Sequence, residues 1–155
     1  MYSIKITGSL KNLTWSSGHF VPSNVKCRNL HGHDYSLDII LNNLELKDNG
    51  MTIDFTIIKA IIKPLIEKMD HKFIVPGINL KKKNNDFYDI YVNNEFKATM
   101  EKDEIFVFKY PVGSAEYIAK YFYDEILDGL KKIDNDFNME IVVHEGPGNI
   151  AIYSR

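Results

Sequence analysis

His31-Gly32-His33-Asp34-Tyr35-Ser36-Leu37-Asp38-Ile39-Ile40-Leu41-Asn42-Asn43-Leu44 is the stretch on which the fold of this chain turns. Leu37, Ile39 and Leu41 recur at period two, with Asp38 and Asn42 opposite them, so 35–44 reads as a strand with one apolar face. Its upstream end carries two imidazoles at i and i+2, which an extended backbone points to the same side. Gly32 between them lets another element pass close to the backbone. A core strand thus runs directly into a pair of metal-ligand candidates.

Outward from this strand, 1–7 and 13–20 read as extended segments. Downstream, Asp54 can cap a helix to about Met69, with Ile57, Ile58, Ile61, Ile62, Leu65 and Ile66 at helical spacing. Pro64 inside it predicts a kink or an early break. Lys81-Lys82-Lys83 followed by Asn84-Asn85-Asp86 reads as a solvated turn. Residues 87–110 read as extra β structure, with Asn93-Asn94 and Glu101-Lys102-Asp103-Glu104 as turns. Ser114 starts a second helix to about Leu130. Strands at 139–144 and 149–153 flank Gly146-Pro147-Gly148. The order β-β-α-(β insertion)-α-β-β predicts an α+β fold with an antiparallel sheet.

The chain has 155 residues, 45% of them apolar and 26% charged, which fits one domain over 1–155 with a real core and no need of staples. The net charge of −2 gives no sign of a polyanion surface, so no nucleic-acid partner is expected. The N-terminus lacks the apolar core of a signal peptide, and no run approaches the roughly 18–20 apolar residues of a membrane span. Cys27 is the sole cysteine. That fits a reducing compartment, and a cytoplasmic protein without a membrane partner is expected.

His19 lies twelve residues before His31, at the end of the preceding extended segment. A hairpin brings it beside His31 and His33. Three neutral imidazoles leave the fourth position of a Zn2+ ion open for water or substrate, the arrangement of a catalytic rather than a structural site. Cys27, four residues before His31 and flanked by Lys26 and Arg28, is either a thiol activated by nearby positive charge or simply a small buried residue. Asp70-His71 at the end of the first helix is either a carboxylate orienting an imidazole or a helix-terminating pair. Spacing alone does not choose. Glu145 by itself reads as an exposed acid at a turn, and His144 beside it faces the other way along a strand.

Taken together, these segments resemble the 6-pyruvoyltetrahydropterin synthase / 6-carboxytetrahydropterin synthase family. Lys26-Cys27-Arg28-Asn29-Leu30-His31-Gly32-His33 is similar to its K-C-x-x-L-H-G-H segment, the most specific match. Trp15-Ser16-Ser17-Gly18-His19, Gly50-Met51-Thr52-Ile53-Asp54-Phe55, Met69-Asp70-His71-Lys72, Ser114-Ala115-Glu116-Tyr117-Ile118-Ala119 and Val142-Val143-His144-Glu145 resemble its other motifs. The resemblance implies that His19, His31 and His33 hold zinc. It makes Cys27 the catalytic thiol and Asp70 with His71 the proton-relay pair. Glu145, Ser114 and Glu116 become substrate contacts, with Glu145 on the pterin's aminopyrimidine edge. It implies the tunnelling fold, a four-stranded antiparallel sheet with two helices on one face, in subunits that assemble as a homo-oligomer, a dimer of trimers.

The implied substrate is 7,8-dihydroneopterin triphosphate, whose triphosphate Lys26 or Arg28 could meet. The implied product is 6-carboxy-5,6,7,8-tetrahydropterin, on the route to 7-deazaguanine bases. Only three residues separate Cys27 from His31, as in the carboxy branch. The alternatives are triphosphate elimination to 6-pyruvoyltetrahydropterin, and a non-catalytic pterin or purine binder. The segment at about 79–110 is longer than in short members of the family, and is expected to pack on the barrel rim and lid the site.

Overall fold

The computed structural model describes residues 1–133 and 136–155. The strands are β1 (Tyr2–Ile6), β2 (Thr14–His19), β3 (His31–Leu44), β4 (Lys72–Pro76), β5 (Leu80–Lys82), β6 (Phe87–Val92), β7 (Glu95–Glu101), β8 (Ile105–Phe108), β9 (Asn138–Glu145) and β10 (Ile150–Ser154). The helices are α1 (Phe55–Glu67) and α2 (Ala115–Leu130). Local chemistry sets the helix starts as expected. The Asp54 carboxylate accepts the Thr56 N–H (2.7 Å), and the Ser114 hydroxyl oxygen accepts that of Tyr117 (3.5 Å).

The expected antiparallel unit is present as β10-β9-β3-β2, and the sheet is larger than expected. Strand β1 pairs with the downstream half of β3, while β4 and β8 extend the β2 side in parallel, giving seven strands in a mixed sheet. Phe73-Ile74-Val75 in β4 is a continuous apolar run without alternation, the pattern of a strand covered on both faces, which period-two reading overlooks. The extra β segment is therefore divided. Strand β8 joins the main sheet, and β5-β6-β7 form a separate three-stranded sheet. Leu80–Lys82 is a strand of that sheet, so the lysine-rich turn begins only at Lys83. Helix α1 runs on through Pro64 to Glu67 without the early break, and Ile57 on its edge is exposed.

Odd-numbered residues of β3 and β9 face the helices. Leu37, Ile39, Leu41, Ile141 and Val143 pack there with Ile58, Ile62, Ile118, Phe122 and Ile126, each buried. Side chains of this kind each stabilise the fold by about 1.5–3 kcal/mol on burial. A second core of Phe20, Val75, Ile90, Val92 and Ile105 joins the small sheet to the large one. Among the described residues no helix is long and apolar enough to cross a membrane.

The opposite face of β3 carries Asp38, whose side chain is 4% exposed. It accepts the Gly8 N–H (2.9 Å) and meets Lys5 Nζ (3.1 Å) and His144 Nε2 (3.5 Å). A Cβ at Gly8 would lie 2.1 Å from the Leu37 carbonyl oxygen, so only glycine lets this backbone close over the carboxylate. Burial alone would raise the Asp38 acid. The Gly8 N–H and the Lys5 ammonium outweigh burial and hold it below the usual range. Its contribution is thus complete above the ordinary carboxylate value near 4 and is lost as pH falls through the lower folded value. We predict that Asp38→Asn lowers unfolding free energy at pH 7 by about 1–3 kcal/mol. The variant should also lose less stability than the parent between roughly pH 5 and pH 2. Denaturant melts across that range check this, and parallel pH profiles would refute it.

Candidate metal and thiol site

Strands β2 and β3 pair with His19 directly opposite His31 and Ser17 opposite His33. All three histidines therefore project on the helix-side face, at the end of the core strand. Their ring centroids lie 4.5, 5.0 and 5.1 Å apart, and one ring nitrogen from each falls within 4.8 Å of the others. His19 is 1% exposed. Its Nδ1–H donates to the Gly113 carbonyl (2.6 Å), and the Nδ1–H of His31 donates to that of Asn29 (2.7 Å). A carbonyl accepts only, so these contacts fix the tautomers and leave Nε2 of each ring with a free lone pair. Burial, the dominant influence, lowers His19 toward the neutral form. Nε2 of His19 and of His33 is buried with no hydrogen-bond partner. Unpartnered lone pairs converging from fixed imidazoles fit a divalent metal ion held by three nitrogens.

Glu145 ends β9 opposite Tyr35 of β3 and shares the histidine face. Its carboxylate reaches 3.5 Å from His33 Nε2 and 3.9 Å from His19 Nε2, so it is not the exposed turn acid that its neighbours in sequence suggest. Burial, and then this carboxylate, push the Tyr35 phenol well above its ordinary value, so it stays protonated and is no base at neutral pH. His144 faces the other way, toward Asp38.

Cys27 sits in the turn-rich loop between β2 and β3. The Asn24 side-chain oxygen accepts the N–H groups of Lys26 and Cys27 (both 3.0 Å), and the Cys27 carbonyl accepts the Val21 N–H (2.7 Å). The loop is thereby tied to itself. Cys27, Asn24, Ser114, Glu116 and Glu145 line one cavity of about 280 Å³. The residues expected as thiol and as substrate contacts are brought together, beside the histidines. Ser114 also caps α2, so its hydroxyl serves the helix as well as facing the cavity.

Asp70 and His71 do not line the Cys27 cavity, although His71 and His33 line a common cavity of about 360 Å³. His71 takes a left-handed backbone (φ +59°) just after α1, and its side chain is 83% exposed. Its Nδ1 is 3.0 Å from Asp70 Oδ2, and Asp70 Oδ1 accepts the Ser16 N–H (2.9 Å). Burial alone would raise the Asp70 acid, but the Ser16 N–H and the His71 ring hold it low. The carboxylate–imidazole pair is real, yet it lines a different cavity of about 690 Å³ with Ser16, Asp34, Asp38 and His144. No residue of 79–110 lines the Cys27 cavity, so within one chain the insertion is not its lid. Sequence reading missed the Gly113 carbonyl and Asn24. A backbone acceptor leaves no trace in residue type, and one asparagine in a polar loop is ordinary.

A family profile described as 6-pyruvoyl tetrahydropterin synthase matches residues 10–155. A Methanocaldococcus jannaschii protein, provisionally named 6-carboxy-5,6,7,8-tetrahydropterin synthase, is 31% identical over 98% of this chain and 96% of its own. The 6-carboxy-5,6,7,8-tetrahydropterin synthase of Aquifex aeolicus is 36% identical over 74% of this chain and 67% of its own. The crystal structure of Plasmodium vivax 6-pyruvoyl tetrahydropterin synthase superposes with a TM-score of 0.85 at 24% identity, over 99% of this chain and 97% of that one, a likeness of fold.

Titration of metal-stripped protein with Co2+ should show about one ion per chain in a low-symmetry coordination spectrum. His31→Ala should weaken binding by about a hundredfold or more, whereas Asp34→Ala should leave it within about threefold. Equal affinities in the two variants would rule out the histidine trio as the ligand set.

Proposed function

The chain belongs to the 6-pyruvoyl tetrahydropterin synthase family, and on that premise we propose that it is a zinc-dependent lyase acting on 7,8-dihydroneopterin triphosphate. The product we assign is 6-carboxy-5,6,7,8-tetrahydropterin, a precursor of the 7-deazaguanine bases of queuosine and archaeosine. The observation that carries the proposal is the position of Glu145. It lies at once on the histidine cluster and on the cavity that Cys27 lines.

Glu145 can accept the two parallel N–H bonds of the aminopyrimidine edge, which holds the pterin with its side chain between the histidines and the thiol. Zinc on His19, His31 and His33 would supply Lewis acidity to the hydroxyl and carbonyl oxygens of that side chain. The Cys27 sulfur is the group that takes and returns protons at the side-chain carbons. Asp70 holds His71 at Nδ1, which leaves Nε2 for the complementary proton transfers. Because this pair lies outside the Cys27 cavity, we assign it to the site of a neighbouring copy in a homo-oligomer, a dimer of trimers. Ser114 and Glu116 complete the substrate wall, and Lys26 and Arg28 are the cations nearest Cys27 in sequence for the triphosphate.

Two points support the carboxy product over the pyruvoyl one. Three residues lie between Cys27 and His31, and the relatives from M. jannaschii and A. aeolicus carry the carboxy name. Incubation of the pure protein with 7,8-dihydroneopterin triphosphate should release triphosphate and acetaldehyde with 6-carboxytetrahydropterin. Pyruvoyl product without acetaldehyde would overturn the product assignment. Tight binding without turnover would make the protein a pterin binder. Cys27→Ala should cut turnover by about a thousandfold while metal content stays unchanged.

A further inference from the structure

The loop carrying Cys27 spans residues 21–30, and both of its ends are fixed by elements other than the strands it joins. Phe20, immediately before it, is fully buried in the second core with Val75, Ile90, Val92 and Ile105. Leu30, its last residue, packs against the same cluster. Two of those residues, Ile90 and Val92, come from β6. At the tip of the β6–β7 hairpin, Asn93 and Asn94 take left-handed backbone (φ +52° and +64°), and the Asn93 side-chain amide donates to the Pro22 carbonyl (3.1 Å). On the next strand, Glu95 pairs with Lys97 (3.1 Å) and is also acted on by the Arg28 guanidinium, next to Cys27 in sequence.

We propose that the β6–β7 hairpin is the seat of the Cys27 loop, with Asn93 as a positioning residue for the thiol. The loop is already tied to itself by Asn24 and by the Val21–Cys27 bond. It therefore moves as one body, and holding Pro22 and Leu30 holds Cys27. Asparagine suits the position on two counts. It tolerates φ > 0, and its amide reaches a carbonyl that would otherwise face water. The insertion thus acts from behind the loop. Its catalytic consequence rests on the reading of Cys27 as the reactive thiol; its mechanical content does not.

Asn93→Gly keeps the left-handed turn and removes the amide. Asn93→Asp also tolerates the turn, but sets an acceptor against the Pro22 carbonyl. In the full-length, metal-loaded protein both should speed amide hydrogen exchange in residues 21–30 by about tenfold, with the rest of the chain unchanged. Alkylation of Cys27 by iodoacetamide, which reports one thiol because there is one cysteine, should accelerate about fivefold. Turnover of the pterin should lose about tenfold in kcat with KM within about twofold, the mark of a displaced reactive group rather than lost binding. Unchanged exchange over 21–30, uniform acceleration across the chain, or an Asn93→Asp variant that behaves as the parent would each overturn the proposal. If the parent does not turn over the pterin, the proposed function falls, and exchange with alkylation still decides the seat.

Discussion

The register of β2 against β3 is the constraint on which the rest depends. With His19 opposite His31, the odd residues from Trp15 to His19 and from His31 to Leu41 share the helix-side face. A slip of one residue would turn the histidines and the core leucines to the other face together. Trp15 and Tyr35 stand directly opposite one another in this register, and their rings stack at 5.1 Å with planes 9° apart. Phe122 of α2 closes on Trp15 at 5.2 Å. Ser17, on the same face, donates its hydroxyl hydrogen to the Met69 carbonyl (2.7 Å). A cross-strand aromatic pair of this kind is worth about 0.5–1.5 kcal/mol beyond its burial, and here it also selects a register. The floor of the metal cluster is therefore part of the hydrophobic core.

The same strands separate two chemistries by face. Glu145 and His144 are neighbours in sequence, yet one carboxylate joins the histidines while the other side chain turns to Asp38. Burial drives His19 toward neutrality even with the Glu145 carboxylate nearby. A neutral ring is the form that ligates a metal. Burial, which would be a liability for a catalytic base, suits a ligand. Cys27 and His71, to which we assign proton transfer, sit at half-buried or exposed positions instead.

Legibility in the sequence followed locality. The period-two face of β3, the Asp54 and Ser114 caps and the two amphipathic helices are local, and each stands where the pattern put it. The convergence of His19 on His31 and His33 needed only one hairpin. Strand β4 and the parallel pairing that adds it and β8 to the main sheet were not legible, because the partners lie far away in sequence and the apolar run of β4 carries no alternation. The residue types at Cys27 and Asp70-His71 were plain to see. Their placement in different cavities was not, since that depends on which face of the sheet each loop leaves. The insertion is β structure as its pattern reads, and within one chain it meets the Cys27 loop at Pro22 without lining the Cys27 cavity, a placement that aromatic content does not reveal.

Metal and thiol are held by different means. The three histidines belong to one pair of strands, and the tautomers of His19 and His31 are set by the carbonyls of Gly113 and Asn29. Gly113 adjoins the Ser114 cap, so the start of α2 both orients His19 and walls the Cys27 cavity. Cys27 belongs to a loop whose foundations lie in the second core and the hairpin tip. Changes in the hairpin therefore reach the thiol without passing through the metal ligands. Changes at the start of α2 reach both. The imidazole geometry is thus set inside the main sheet, while the position of the thiol relative to it depends on a separate element.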